Sequence, residues 1–290
     1  MIEYEDSQNK AAILMEALPY VRRFRGSVFV VKYGGSFMDS PDPAVRSRVA
    51  QDLVFLNFVG IKVVVVHGGG KAVTKELEGR GLEATFINGL RVTDAQTIEV
   101  VDEVLNEKVN AEVAEFVSSH DCKVQRLPGK EILSCNKLEQ EPDLGFVGAI
   151  TKVDTDPIQK ALNEGLMPII SSTAADEKDQ CYNVNADTVA AEVAISLCAR
   201  RLVYLSDVPG LLKNPEDSTS LLSSLPVDQV DSLKKEGIIA KGMLPKVNSA
   251  VDALNSGVNR VHFIDGRLPH SILLEIFTDE GIGTEIVHAS

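Results

Sequence analysis

Hydrophobic residues follow two patterns along the chain, short continuous runs and longer amphipathic stretches. The short runs predict strands at 27–32, 63–66, 166–170, 202–205 and 260–264. The amphipathic stretches predict helices at 43–58, 71–78, 187–199, 227–235, 243–255 and 270–277, a short helix opened by Asp156 and Pro157, and a long helix after the capping-box pair Thr93 and Gln96. The stretches 123–127, 130–138 and 145–153 are predicted to be extended, a pattern compatible with hairpins. Apolar strands separated by helices indicate an α/β fold with a largely parallel sheet covered on both faces.

Two of the predicted strands end in glycine-rich turns, which read VVKYGGS and VVVVHGGGK. Glycine has no Cβ, so its N–H group can approach a bound anion closely. Ligands of parallel sheets bind at the carboxyl ends of the strands, which is where these turns lie. Lys32 stands in the first turn, and a lysine in a buried strand is costly unless it meets an anion. Together the turns favour a phosphate site, although a tight turn alone would explain either one.

Four further motifs place polar residues at the ends of elements. NGLRVTD puts Arg91 before a helix, where its planar guanidinium suits a carboxylate but is also compatible with a surface ion pair. NVNAD puts Asp187 at a helix N-terminus, where both capping and anion binding occur. LSDVPG is a third strand-end turn, and GMLPKV carries a second lysine, Lys246. The Walker phosphate loop is absent, and 79–84 matches a dinucleotide fingerprint in letters only, because it follows a helix and not a strand.

Composition and charge exclude several classes of function. The chain has 290 residues and a formal net charge of −13 at pH 7, which argues against binding of nucleic-acid backbones. No apolar stretch reaches the roughly 18 residues of a membrane span. The N-terminal segment carries acids where a signal peptide is basic, so we expect a cytoplasmic protein with no membrane partner. The 4 cysteines and 5 histidines are scattered, which predicts no protein-held metal.

In chain order, VKYGG, VVHGGG, NGLRVT, ISS, NVNAD, LSDVPG and GMLPKV resemble the amino-acid kinase family over about residues 28–287. NGLRVT together with NVNAD resembles the members that phosphorylate N-acetyl-L-glutamate. The resemblance implies transfer of a phosphoryl group from MgATP to the side-chain carboxylate, which gives N-acetyl-L-glutamyl 5-phosphate in arginine biosynthesis. It also implies a three-layer αβα sandwich in one domain at 26–290, with the amino-acid substrate lobe at about 26–180 and the nucleotide lobe at about 181–290.

The resemblance assigns roles residue by residue. Lys32 and Lys246 contact the transferring phosphoryl group, Asp187 orients the two lysines, and Gly35 offers a main-chain N–H. The substrate site comprises Gly68, Gly69, Gly70, Arg91 and Asn183. The nucleotide site comprises Ser206, Asp207, Gly210, Leu211, Ile238, Ile239, Ala240, Gly242 and Met243. The stretch 125–138, Lys71 and Lys152 depart from the family pattern.

The residue types suit the chemistry. A side-chain carboxylate, with a solution pKa of about 4.3, is already ionised at neutral pH, so the reaction requires no general base. Two anions must still meet, and negative charge spreads over the phosphoryl oxygens in the transition state. Lysines and fixed N–H groups are therefore the catalytic devices that we expect.

Both ends of the chain resemble the arginine-inhibited, hexameric subgroup of these kinases. The resemblance implies that a helix at 1–25 links dimers into a trimer of dimers. It also implies an L-arginine site near the C-terminal stretch HSILLEIFTDEGIGTEI, formed by Tyr20, Lys213, His262, Glu275 and Gly281. A helix packed on its own domain is the alternative.

Three other functions remain as alternatives. The nearest is another carboxylate or carbamate kinase of the same fold, against which NGLRVT and NVNAD argue. A non-catalytic, ligand-binding regulator is a second, weakened by the presence of both lysines and Asp187. A nicotinamide-dependent oxidoreductase is a third, weakened by the missing fingerprint.

Overall fold

A computed structural model describes residues 2–34, 43–214, 216–240 and 242–288. Gly35, one of the predicted catalytic residues, lies outside these ranges. The other predicted site residues lie within them.

An eight-stranded sheet forms the centre of the molecule. From edge to edge its strands are β12 (Ser224–Pro226), β14 (Thr284–Val287), β13 (Arg260–Asp265), β11 (Arg201–Ser206), β1 (Val28–Tyr33), β2 (Lys62–His67), β8 (Met167–Ser171) and β5 (Val124–Leu127). The six strands from β13 to β5 are mutually parallel, whereas β14 pairs antiparallel with β13. The glycine turns that follow β1 and β2 therefore lie side by side, at the carboxyl ends of the parallel strands.

Helices and smaller strands surround this sheet. The helices are α1 (Ile2–Phe24), α2 (Pro43–Phe58), α3 (Gly70–Gly79), α4 (Ala95–Asp102), α5 (Asn110–Ser118), α6 (Gly129–Ile132), α7 (Asp156–Asn163), α8 (Ala186–Ser196), α9 (Val230–Lys235), α10 (Met243–Asn255) and α11 (Ser271–Ile276). A second sheet contains β10 (Cys181–Asn183), β9 (Thr173–Ala175), β6 (Leu133–Lys137) and β7 (Gly148–Val153), and β3 (Phe86–Ile87) pairs with β4 (Leu90–Arg91).

Alternate side chains of the central strands build two cores. Val30 and Tyr204 point to the face covered by α7, α8 and α10, and Phe29 and Val31 point to the face covered by α2, α4 and α5. Both faces are apolar because the strands are buried on both sides. This arrangement confirms the predicted three-layer αβα sandwich with a mainly parallel sheet.

Local predictions failed at two places. The long helix begins at Ala95 with Asp94 as its N-cap, whose carboxylate accepts from Thr97 N, so the capping box at Thr93 was wrong. Thr93 is buried instead, and its hydroxyl donates to Arg91 O over 2.9 Å. The helix also contains a π segment, Glu103–Val109. In the stretch predicted as extended from 130 to 138, residues 130–132 belong to the helical turn α6.

Candidate active site at the strand ends

A carboxylate between two lysines forms the centre of the candidate site. Asp187 lies in the first turn of α8, and Lys246 lies in the first turn of α10. Lys246 Nζ donates to Asp187 Oδ2 over 2.6 Å. Lys32 Nζ, at the end of β1, lies 2.9 Å from Asp187 Oδ1, but the contact is not aligned as a hydrogen bond. The Lys32 ammonium group has three N–H donors, so a contact with Asp187 leaves it able to donate to a ligand as well.

The charges of this cluster are strongly coupled. Burial of Asp187 opposes its ionisation, but Lys32 and Lys246 outweigh burial and lower the pKa of the carboxyl to about 2. Burial, followed by repulsion from Lys32, lowers the pKa of the Lys246 ammonium, although Asp187 opposes that effect. With both lysines charged, one carboxylate balances only one of them. The cluster therefore carries one excess positive charge, which favours an anionic ligand.

A neighbouring residue leaves Asp187 free for this role. Asn185 is the N-cap of α8, and its side chain accepts from the backbone N–H groups of Asp187 and Thr188. Capping is thus supplied by Asn185, and the Asp187 carboxylate is directed at the lysines. The NVNAD motif contains both the cap and the orienting acid, a distinction that the capping pattern alone did not make.

Two glycines lie where a side chain would clash with its neighbours, one beside Lys32 and one in the turn after β2. A Cβ on Gly34 would lie 2.6 Å from Lys32 Nζ, so a side chain there would displace the ammonium group. Gly69 has φ +157°, and a Cβ on it would lie 2.7 Å from Leu105 Cδ2. Gly34 was not among the predicted site residues. Its position in the glycine-rich VVKYGGS turn is the feature of the sequence that could have identified it.

A cavity of about 230 Å³ lies in front of these turns. Its lining includes the predicted residues Lys32, Gly68, Gly69, Gly70, Arg91, Asn183 and Asp187. These residues come from four separate stretches of the chain, and the strand ends bring them together. Phe86 and Asn185 also line the cavity and were not predicted.

Arg91 is held so that part of its guanidinium is unused. Its Nη2 donates to Gly70 O over 2.7 Å and to Thr74 Oγ1 over 2.8 Å, and its guanidinium carbon lies 4.6 Å from the centre of the Phe86 ring. Its Nη1 is buried with no partner among the described residues. Burial lowers the pKa of Arg91. A buried donor without a partner is costly, so a ligand carboxylate would satisfy it.

The predicted nucleotide residues surround the ends of β11 and α10. Ser206 ends β11, Asp207 is exposed, and Gly210 has φ +143° with no room for a side chain beside Thr284. Leu211 and Ile239 are buried in the core. These two residues could therefore contact a nucleotide only through their backbone.

A second cavity, of about 650 Å³, lies beside α1 and α11. Of the five residues predicted for the effector site, Tyr20, His262, Glu275 and Gly281 line this cavity, whereas Lys213 does not and lies in an exposed segment. Its lining also includes basic residues, Arg23, Arg201 and Arg260, and acidic residues, Asp279, Glu280 and Glu285.

Glu275 is already paired within this second cavity. One of its oxygens lies 2.7 Å from His262 Nδ1, and the other accepts from the N–H groups of Ile282 and Gly283 over 2.7 and 2.9 Å. Burial raises the pKa of Glu275, but these contacts lower it further, so the net effect is a decrease. Glu275 therefore holds the backbone of residues 282 and 283 beside the cavity. Arg201 is also buried, and burial together with its arginine neighbours lowers its pKa to about 9.

The described residues contain no group of three or more His, Cys, Asp or Glu side chains that could hold a metal ion. None of the helices in the described ranges is long and apolar enough to cross a membrane.

Comparisons with known proteins agree with this geometry. The amino acid kinase family model matches residues 27–265. The acetylglutamate kinase of Syntrophomonas wolfei is 46% identical over 284 residues, which cover 97% of this chain and 98% of that protein. The acetylglutamate kinase of Brachyspira hyodysenteriae is 44% identical over 285 residues, 98% of each protein.

Solved structures show the same fold. An N-acetylglutamate synthase from Neisseria gonorrhoeae, complexed with coenzyme A and N-acetyl-glutamate, superposes with a TM-score of 0.84 at 26% identity, over 97% of this chain but 64% of that protein. A carbamate kinase from Giardia superposes with a TM-score of 0.65 at 12% identity, over 91% of this chain and 99% of that chain, which is a likeness of fold alone. This chain belongs to the amino acid kinase family, and it matches the acetylglutamate kinases over nearly their whole length.

Proposed function

We propose that this protein transfers the γ-phosphoryl group of ATP to the side-chain carboxylate of N-acetyl-L-glutamate, in arginine biosynthesis. The observation that carries the proposal is a single cavity lined by Lys32, Asp187 and Arg91, in which Arg91 Nη1 has no partner among the described residues. A dicarboxylic substrate can place one carboxylate at Lys32 and the other at Arg91. The near-full-length relatives named acetylglutamate kinase support this substrate.

The substrate carboxylate is the nucleophile and needs no deprotonation at neutral pH. Lys32 and Lys246 neutralise charge on the transferring phosphoryl group, and Asp187 holds their two ammonium groups together. Main-chain N–H groups of the Gly68–Gly70 turn stabilise the oxygens of the acceptor and the phosphoryl group, and Gly35 is proposed for the same task. Catalysis then rests on position and electrostatics.

The remaining contacts of the two substrates are part of the same proposal. Arg91 Nη1 binds the α-carboxylate of the amino acid, and Asn183, whose Nδ2 lies 3.3 Å from Thr93 Oγ1, faces its N-acetyl end. ATP approaches over Ser206, Asp207 and Gly210. This division corresponds to a substrate lobe at about 26–180 and a nucleotide lobe at about 181–290.

Magnesium enters with ATP in this proposal. The described residues offer no cluster of acidic ligands, and both oxygens of Asp187 lie beside lysines. The ion would therefore be held by the phosphates, whose charge it reduces.

Regulation by L-arginine is a second proposal, supported by the 650 Å³ cavity. The cavity presents arginine side chains and carboxylates together, which suits a zwitterionic ligand that carries an additional cation. A related N-acetylglutamate synthase has been solved with coenzyme A and L-arginine.

The hexamer is proposed from the exposed apolar residues of α1. Ile13, Leu14 and Met15 are 64%, 69% and 65% exposed in the single chain, and a neighbouring subunit would bury them. The cytoplasmic location stays a prediction from the N-terminal sequence.

One assay tests the enzymatic proposal. The protein is incubated with MgATP and, in separate reactions, N-acetyl-L-glutamate, L-glutamate, L-aspartate or carbamate, and acyl phosphates are trapped with hydroxylamine. We expect a hydroxamate with N-acetyl-L-glutamate and far slower ADP release with the other acceptors. A preference for carbamate or free aspartate would instead favour another kinase of the fold. Binding without turnover would indicate the non-catalytic regulator.

A further inference from the structure

His67 ends β2 directly before the glycine turn, and the proposed reaction does not use it. Its side chain is completely buried beneath the turn. Its Nδ1 lies 2.8 Å from Gly68 O, and its Nε2 lies 3.0 Å from Asn110 Nδ2. These two contacts determine which nitrogen carries the proton.

The proton position follows from the neighbours of Asn110. Arg126 Nε donates to Asn110 Oδ1 over 2.9 Å, which identifies that atom as the amide oxygen. Asn110 Nδ2 then donates to Ile169 O over 2.9 Å and to His67 Nε2. Because His67 Nε2 accepts, the proton lies on Nδ1, which donates to Gly68 O. Burial lowers the pKa of His67 to about 4, in agreement with a neutral ring at pH 7.

This hydrogen bond orients the next peptide group. In a planar trans peptide, the Gly68 carbonyl and the Gly69 N–H point in opposite directions. The carbonyl is held on the side of the buried imidazole, so the N–H points to the other side. Among the described residues, no backbone acceptor pairs with this N–H, and Gly69 lines the 230 Å³ cavity.

A glycine turn needs such a restraint. Without side chains, the Gly68–Gly69 peptide has access to many orientations, of which only one presents the donor to the cavity. The element behind the turn is the π segment Glu103–Val109, whose end places Asn110 against His67. Such segments frequently occur at functional sites.

We infer that His67, held in its Nδ1–H tautomer by Asn110 and Arg126, is a positioning residue that fixes the Gly69 N–H toward the transferring phosphoryl group. The inference rests on the proposed kinase function for its catalytic consequence. The tautomer itself is independent of any substrate.

The first test measures the tautomer by long-range ¹H–¹⁵N correlation spectra of the full-length protein labelled with ¹⁵N. The chain has five histidines, and the His67 signals are those absent from His67→Asn. We expect a protonated Nδ1 and an unprotonated Nε2, the tautomer that is less common in solution, unchanged from pH 5 to 8. An Nε2–H tautomer, or a titration near pH 6.5, would overturn the inference.

The second test compares two substitutions that keep different nitrogen positions. His67→Asn retains an amide nitrogen at the Nδ position, and His67→Gln moves the amide to the Nε position. We expect kcat to fall about 10- to 100-fold in His67→Gln, the scale for lost orientation of a reacting group, and to recover most of that loss in His67→Asn. KM for ATP should change little in both, because the nucleotide residues lie elsewhere.

The outcomes separate this inference from the proposed function. Equal kcat in the two variants would overturn the positioning role, even if the wild type makes acyl phosphate normally. A wild type that makes no acyl phosphate would refute the kinase proposal and with it the catalytic part of this inference. If one variant fails to fold, the spectrum of the other, which also lacks the His67 signals, still identifies them in the wild type, and the wild-type spectrum decides the tautomer.

Discussion

Removal of Lys246 is the sharpest test of the charge cluster. Lys246→Ala deletes the ammonium group that donates to Asp187 Oδ2 over 2.6 Å, while Lys32 remains 2.9 Å from Oδ1. The net charge of the three side chains falls from +1 to zero. Asp187 keeps one counter-ion, so no uncompensated buried charge is left to unfold the protein.

The expected effect is on the transition state. Loss of one preorganised donor to developing charge costs about 10²- to 10³-fold in kcat, which corresponds to about 3–4 kcal/mol of activation free energy. KM for N-acetyl-L-glutamate should change much less, because the proposed partner of the other end of that substrate is Arg91. The hydroxamate assay with saturating MgATP measures both parameters.

A surface lysine provides the matched control. Lys234 also pairs with an aspartate, Asp231, at 3.4 Å, but that pair lies on the exposed face of α9. Lys234→Ala should leave kcat unchanged. If kcat of a folded Lys246→Ala protein stays within about threefold of the wild type, where a lost donor costs far more, the charge cluster is not the phosphoryl site.

Arg91→Lys keeps the charge but loses the planar guanidinium, so it should raise KM for N-acetyl-L-glutamate and leave KM for ATP little changed. If only KM for ATP changes, the assignment of Arg91 to the amino-acid site is wrong. Millimolar L-arginine should inhibit the wild type, and Glu275→Ala should relieve this inhibition because the 281–283 loop loses its carboxylate acceptor. The ratio of the rates with and without arginine measures the inhibition. A wild type whose rate does not change with arginine would refute the proposed regulation. If the proposed hexamer and arginine site are correct, deletion of residues 1–24 should reduce the oligomer toward dimers and weaken inhibition by arginine, as light scattering with arginine titration would show. Unchanged mass and inhibition would contradict the role of α1. The pKa of His67 falls on folding from 6.5 to about 4, so its contribution to the free energy of unfolding is full above pH 6.5 and falls by about 3 kcal/mol as the pH falls toward 4. Urea unfolding should therefore show a smaller decrease in the free energy of unfolding at acid pH for His67→Asn than for the wild type. Equal decreases would contradict the burial of a neutral ring.

Local patterns were sufficient for the main elements of the sheet. The strands β1, β2, β8 and β11 contain continuous apolar runs, which are typical of strands buried on both faces of a parallel sheet. His262 interrupts the apolar residues of β13, which was nevertheless predicted. The short strands β9, β10, β12 and β14 were missed. They have three or four residues each, and their pairing depends on partners distant in the chain.

Polar residues near helix ends were harder to interpret. Thr93 fits a capping box, yet tertiary packing buries it and leaves capping to Asp94. Asp187 also fits a cap, but Asn185 takes that role and frees the carboxylate for the lysines. Capping rules consider only neighbours in sequence, and in both places a contact with a distant element decided which side chain capped the helix.

The sequence by itself determined the α/β class, the glycine turns and the identities of the charged residues, because periodicity and backbone freedom are local properties. Only the tertiary structure decided that Lys32 and Lys246 share one carboxylate, that Arg91 has a buried nitrogen with no partner in the described part of the chain, and that burial beneath the turn lowers the pKa of His67. Those properties depend on burial and on distances between residues far apart in the chain. They exist only once the parallel strands bring their carboxyl ends to one edge of the sheet.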